Sequence, residues 1–186
     1  TTGAVDGLVA GGRGEVWLTD QLRLGISAAR EGSGIADNRM VGADLLYQHS
    51  EGTWLRFDVA ESEGPGFGSA LSLNGGLEID PLAPSPGTAG NAALGTRIEG
   101  RIDLADFGGD GHVSGYFDDR DAGFTSPDLN VTEAQTSAGI DGDIGIGART
   151  RLTFGADRFE NDAGKTRNDT RIGVVQTLGT AWELQL

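Results

Sequence analysis

The stretch "GEVWLTDQLRLGISAA", residues 14–29, holds two alternating runs that meet at a corner. After Asp20, Leu22, Leu24, Ile26 and Ala28 project to one side, and Gln21, Arg23, Gly25 and Ser27 to the other. Period-2 alternation of this kind belongs to a β-strand with two unlike faces. Thr19-Asp20 leaves almost no room for a loop, so the stretch is read as a tight hairpin. The alternation leaves open which face is wet. A soluble sheet hides its apolar face and exposes its charges. A membrane-spanning barrel with a watery lumen does the reverse.

The same alternation continues through the chain. Ten strands are predicted, at about 7–19, 21–30, 39–49, 53–62, 94–105, 111–118, 132–146, 148–160, 169–178 and from 181 onward. The clearest is 94–105, where Ile98, Gly100, Ile102 and Leu104 alternate with Arg97, Glu99, Arg101 and Asp103. Leu94, Ile98 and Ile102 also fall four apart, but Gly95 and Gly100 inside the run disfavour a helix. The connections alternate in predicted length. Short ones fall at Thr19-Asp20, 49–53, 107–110, near Gly147 and at 178–180. Long ones fall at 31–38, 62–93, 118–131 and 160–168, all rich in Gly, Asp, Asn, Ser and Pro.

Composition narrows the function. The chain has 186 residues, no cysteine, 32 glycines and a net charge of −14. That charge argues against a nucleic-acid partner, which would call for a basic patch. Without cysteine there is no disulfide and no thiolate metal site. No apolar run reaches the roughly 18–20 residues of a membrane helix, but barrels cross with much shorter alternating segments.

Three features favour the inverted arrangement. The apolar face is almost free of charge. The polar face carries opposite charges two apart, as in Arg97-Glu99-Arg101-Asp103. The apolar residues are mostly Ala, Gly, Ile, Leu and Val, with aromatics at only 6%. Tyr47, Trp54, Phe107, Tyr116, Phe117, Phe154, Phe159 and Trp182 would supply a sparse interfacial girdle.

The stretches "WLTDQLRLGISAARE" (17–31), "RTRLTFGADRFEND" (149–162) and "TRIGVVQTLGTAWELQL" (170–186) resemble transmembrane hairpins of Gram-negative outer-membrane β-barrel proteins. The resemblance is to porin-like barrels or to the barrel portion of a larger surface protein. It implies an all-β, antiparallel up-and-down transmembrane β-barrel in the bacterial outer membrane, with outer-membrane lipid as its surroundings. Short turns would then be periplasmic and long loops extracellular. Residues 1–186 would form a single barrel domain or a segment of a larger barrel completed by further strands or other chains. The expected function is a passive pore, or a membrane anchor displaying loops or a partner domain. The alternative is a soluble or surface-layer β-sheet protein with a binding or structural role.

The candidate pore-lining residues are Arg23, Arg56, Asp58, Arg97, Glu99, Arg101, Asp103, Asp141, Asp143, Arg151 and Asp157. They set permeation if the lumen is open, or stiffen it if it is filled. The 62–93 loop is the expected constriction or partner contact. His112 lies near Asp110 and Ser114 in sequence, but no nucleophile elbow accompanies them, so no catalytic residue and no enzyme activity are assigned. Asp118, Asp119 and Asp121 are weighed as a calcium loop and read instead as a solvated one. The stretch "GGDGHV", 108–113, is read as a turn. No cofactor or metal is expected.

Overall fold

The computed structural model describes residues 8–32, 37–64, 70–71, 80–81, 92–126, 129–178 and 182–185. They form one antiparallel ten-stranded sheet in chain order. Its strands are β1 (Leu8–Trp17), β2 (Leu22–Gly32), β3 (Asp37–Gln48), β4 (Trp54–Glu63) and β5 (Ala92–Asp103). They continue as β6 (Gly111–Arg120), β7 (Gln135–Ile146), β8 (Thr150–Asn161), β9 (Thr166–Leu178) and β10 (Trp182–Gln185). Each pairs with the strand before and after it, so the sheet is an up-and-down meander as the alternation predicted. Among the described residues β1 and β10 do not pair with each other, and the sheet is open. Two small ribbons accompany it, one of them Thr125–Ser126 paired with Leu129–Asn130. A 3-10 turn, Leu104–Phe107, follows β5. Among the described residues no helix is long and apolar enough to cross a membrane.

The tight connections have local causes. Between β1 and β2, the Thr19 hydroxyl accepts from the backbone N–H of Gln21 (3.2 Å) and Leu22 (3.0 Å). A threonine that caps its own turn in this way lets the chain reverse without a loop. Between β3 and β4, Ser50 does the same for Gly52 (3.2 Å) and Thr53 (3.0 Å). Gly108, at φ +80°, closes the 3-10 turn, and Gly111, at φ +110°, opens β6. Of the stretch 108–113, read from sequence as a turn, residues 108–110 form the turn and 111–113 already belong to β6.

The alternation of short and long connections holds only in part. Of the segments expected to be long loops, 31–38 is strand at both ends, with 33–36 outside the described residues, and 160–168 is strand except for 162–165. β2 runs to Gly32 and β3 starts at Asp37, while β8 and β9 are joined by residues 162–165 alone. In that second turn Lys165 N–H donates to the Asn161 side chain at 2.9 Å, and Gly164 adopts φ +80°. The physical reason is that these strand ends are polar on both sides. With no apolar face, periodicity has nothing to report. The connection from 64 to 91 is long but lies mostly outside the described residues.

The pairing register sorts the side chains into two faces. Leu24, Leu45, Phe57, Ile98, Phe117 and Ala138 lie in one row across β2 to β7. The adjacent row on the other face is Gly25, Asp44, Asp58, Arg97, Asp118 and Ser137. The apolar face is uncovered: Ile172 is 76% exposed, Ile26 62% and Leu55 53%. On the other face, Asp44 and Asp118 are each only 4% exposed. Among the described residues the buried apolar cluster is small, consisting of Ala93, Phe124 and Val131. This inverts the partition of an ordinary soluble sheet. The expected aromatic girdle is thinner than the sequence suggested. Trp54, Tyr116 and Phe159 fall on the polar face, because each pairs in register with a polar-face residue.

Candidate functional site

All the charged positions singled out from sequence lie on one face. The register carries Arg23, Arg56, Asp58, Arg97, Glu99, Arg101, Asp103, Asp141, Asp143, Arg151 and Asp157 to the same side of the sheet. Their common side follows from strict alternation within strands and in-register pairing between them.

Most of these charges have named partners. Arg56 pairs with Asp58 at 2.7 Å on β4. Arg97 pairs with Glu99 at 2.8 Å on β5 and reaches Asp118 on β6 at 3.3 Å. Arg120 holds the same Asp118 at 2.8 Å. Asp118 is thus clamped between two guanidinium groups, which is how a carboxylate tolerates near-complete burial. On β1, Arg13 reaches over Gly25 to Asp44 at 2.7 Å, and Arg23 approaches Glu15 at 3.4 Å. Near the 147–149 turn, His112 Nδ1 lies 2.6 Å from Asp143, Arg151 also contacts Asp143, and Arg151 reaches Asp110 at 2.9 Å. Arg171 approaches Asp157 at 3.4 Å. The Arg97 guanidinium also stacks over the Tyr116 ring, 5.1 Å from its centre.

Glycines shape this face. A Cβ on Gly25 would stand 2.2 Å from the Asp44 carboxylate, and one on Gly139 2.5 Å from the Tyr116 ring. The empty positions are notches into which a neighbouring strand's side chain lies flat. Arg171 lies over Gly155 in the same way, at 3.1 Å.

A second element covers part of the polar face. Residues 121–126 and 129–131, which follow β6, fold back over β5 and β4. Phe124 sits on Gly95, where a Cβ would meet its ring at 2.9 Å. Thr125 N–H donates to the Ser62 hydroxyl at 2.8 Å. Gly123 N–H donates to Val131 O at 2.7 Å, and Val131 N–H to Phe124 O at 2.8 Å, which folds the segment on itself. Its base is held by Asp121, whose carboxylate accepts Leu94 N–H at 3.0 Å.

The acidic residues and the histidine weighed from sequence take separate partners. Asp118, Asp119 and Asp121 do not converge as calcium ligands. Asp118 serves the arginine clamp, Asp119 faces the other way and accepts from Thr136 at 2.6 Å, and Asp121 binds Leu94. Among the described residues no group of acidic and histidine side chains is spaced to hold a metal. His112 pairs with Asp143 rather than with Asp110, which takes Arg151 instead.

The sequence reading missed Arg13, Glu15, Asp44, Asp118, Arg120 and the Phe124 seat. Arg13, Glu15, Asp44 and Asp118 occupy the alternating polar positions within strands predicted from sequence, and Arg120 lies two residues beyond one. The seat has a subtler signal: Ala60, Ser62, Ala93 and Gly95 are all small and all on the polar face of neighbouring strands. No family model matches the chain, and searches of curated proteins and of solved structures found no match, so what the site does is read from its geometry.

Proposed function

We propose that this sheet is the wall of a transmembrane β-barrel of the outer-membrane type, with the apolar face against lipid and the charged face lining an aqueous pore. The observation that carries this reading is the uncovered apolar face set against a largely ion-paired, partly buried polar one. Apolar patches this extensive on a soluble protein need a covering layer, and no second layer lies over this one among the described residues. The dimensions agree. From Ala138 to Ile146 the apolar positions of β7 span nine residues, within the roughly 9–11 that a tilted membrane strand needs.

The apolar band also ends where a membrane surface would begin. Toward the end of the sheet that carries the long connections, the outer face turns ionic, with Arg39–Glu63 at 3.5 Å and Arg158–Glu160 at 2.6 Å. At the opposite end Phe107, 68% exposed, stacks on His49 with ring centres 6.1 Å apart. An aromatic pair there suits a headgroup boundary.

On this reading the paired charges have a mechanical and an electrostatic role. They hold the lumen wall rigid, and because acids and bases alternate, they present little net field to a passing solute. The pore is read as passive, the paired charges serving to line and stiffen its wall. Membrane fractionation with detergent extraction tests the reading. The protein is expected in the membrane pellet, soluble only with detergent, with a gel mobility that shifts on heating. A monodisperse protein in buffer without detergent overturns it and supports the soluble sheet instead. Stepwise conductance in a planar bilayer separates a pore from an anchor.

A further inference from the structure

We propose that the polar face between β6 and β9 holds a binding site for an organic monoanion with an aromatic body. The inference rests on the barrel reading above, on which this face lines the lumen, and adds to it a class of solute that the wall retains.

Shape is the first argument. Tyr116 on β6 and Asp157 on β8 flank Gly139 of β7 in register, and both lean over the bare backbone there. A Cβ on Gly139 would stand 2.5 Å from the Tyr116 ring and 2.6 Å from the Asp157 carboxylate. The Tyr116 hydroxyl donates to that carboxylate at 3.3 Å. One row along, Phe159 of β8 stands opposite Arg167 of β9. With Lys165 and Arg171 these residues border an open cavity of about 710 Å³. That is the size of a small-molecule site, larger than an inorganic ion needs. Tyr116 and Phe159 are both half-buried, so each offers apolar ring surface to whatever enters.

Charge is the second argument, and it decides the class. Asp157 takes Arg171 at 3.4 Å and Asp169 takes Arg167 at 2.6 Å, one acid to one base. Arg158, at the cavity's edge, is answered by Glu160 at 2.6 Å. Lys165 lines the same cavity, and among the described residues it makes no ion pair. One positive charge is therefore left over, in a chain whose net charge is −14. Arg167 binds Asp169 through Nε, and its two Nη groups point to no partner among the described residues. Roughly 7 Å of strand separates Lys165 from Arg167, a span that two long side chains close around one carboxylate. The ring of the ligand would then lie on Phe159 and Tyr116, where offset stacking adds to its burial. A doubly charged anion finds no second unmatched cation here, and a cation finds no unmatched acid.

The test titrates the full folded chain in detergent micelles by calorimetry, with benzoate, acetate and benzylammonium as probes. Saturable binding of benzoate is expected, about tenfold tighter than that of acetate, with none for benzylammonium. Lys165→Gln and Arg167→Gln are each expected to weaken benzoate about fivefold or more. Both positions are exposed, and one reports if the other fails to assemble. Arg39→Gln, which removes a cation from the opposite face, is expected to change nothing. Absence of saturable benzoate binding, or equal binding by the parent and both cavity variants, overturns the site. Benzylammonium bound as well as benzoate overturns the charge argument, and acetate bound as well as benzoate overturns the aromatic one. The barrel reading fails separately. If the chain is monodisperse without detergent, the titration is run in buffer, and the same pattern there upholds the site while the barrel falls. A chain that needs detergent and binds no benzoate loses the site alone.

Discussion

Leu24, Leu45, Phe57, Ile98 and Phe117 form a row in which each member needs only to be apolar. The adjacent row on the reverse face, Gly25, Asp44, Asp58, Arg97 and Asp118, is built otherwise. There each position is matched to a particular neighbour: Asp44 to Arg13 and to the space over Gly25, Asp118 to Arg97 and Arg120. One face specifies a chemical class and the other specifies geometry. Substitutions should therefore fail for different reasons on the two sides.

The largest effect is expected where class is violated. On the proposed barrel reading, Leu24→Arg places a guanidinium on the lipid side, which costs roughly 2–4 kcal/mol near a bilayer midplane. Loss of the heat-modifiable folded band is expected on refolding into detergent or vesicles. The neighbouring Arg23→Leu is expected to retain that band, since an ion pair this open contributes at most about 1 kcal/mol. Equal tolerance of the two would dissolve the distinction between the faces.

Next comes the buried clamp. Asp118→Leu strips the shared anion from Arg97 and Arg120, leaving Arg97 with Glu99 and Arg120 without this partner. A destabilisation of about 2–3 kcal/mol is expected from urea unfolding in micelles, because the partners of a buried charge are left uncompensated. A variant as stable as the parent would mean that geometry on the polar face matters no more than class.

The notches come third. Gly25→Ala brings a methyl within 2.2 Å of the Asp44 carboxylate, whereas a Cβ on Gly12 meets nothing within 4 Å. Overpacking of this kind costs about 1–3 kcal/mol. The Gly25 variant is expected to unfold earlier than the Gly12→Ala control, and identical midpoints would remove the notch from the account.

The smallest effect lies outside both faces. The Ser50 hydroxyl donates to the Asp106 carboxylate at 2.5 Å and Thr53 donates to the same oxygen, tying the 49–53 turn to the 3-10 turn. These bonds, Ser50 first, hold the Asp106 pKa below its ordinary value of 3.8. A depressed acid stabilises the fold fully above that ordinary value and loses its contribution as pH falls through the lowered one. Asp106→Asn is expected to flatten the small stability loss below about pH 4. An unchanged acid limb would show that the turn contact is incidental.

The ten strands were legible because the apolar face repeats every second residue from Val16 to Val174 with little interruption. Side choice for the charges was legible for the same reason, since alternation and pairing together leave no freedom. Strand length was not legible at 31–38 and 160–168, where Arg30, Arg39, Arg158 and Thr166 make both faces polar and erase the period. The fold of Phe124 and its neighbours back over β5 was unreadable by pattern, because Phe124 is matched to a notch at Gly95 on a different strand. The sequence reading offered 62–93, on its length, as a constriction, plug or partner contact, and that segment lies mostly outside the described residues. Length says how much chain is available, whereas the small residues at 60, 62, 93 and 95 say where a seat is open.

The glycine notches bear on how such a sheet finds its alignment. A strand that slips by one residue turns its apolar side chains to the wrong face, and solvent and lipid reject it at once. A slip of two residues keeps every face correct, so polarity is blind to it. Here that slip would set Asp44 opposite Arg23 or Ser27 instead of Gly25, and Tyr116 opposite Ser137 or Asp141 instead of Gly139. The side chains that now lie flat would collide. The missing side chains therefore act as proofreading marks, rejecting the one class of misalignment that the hydrophobic pattern permits.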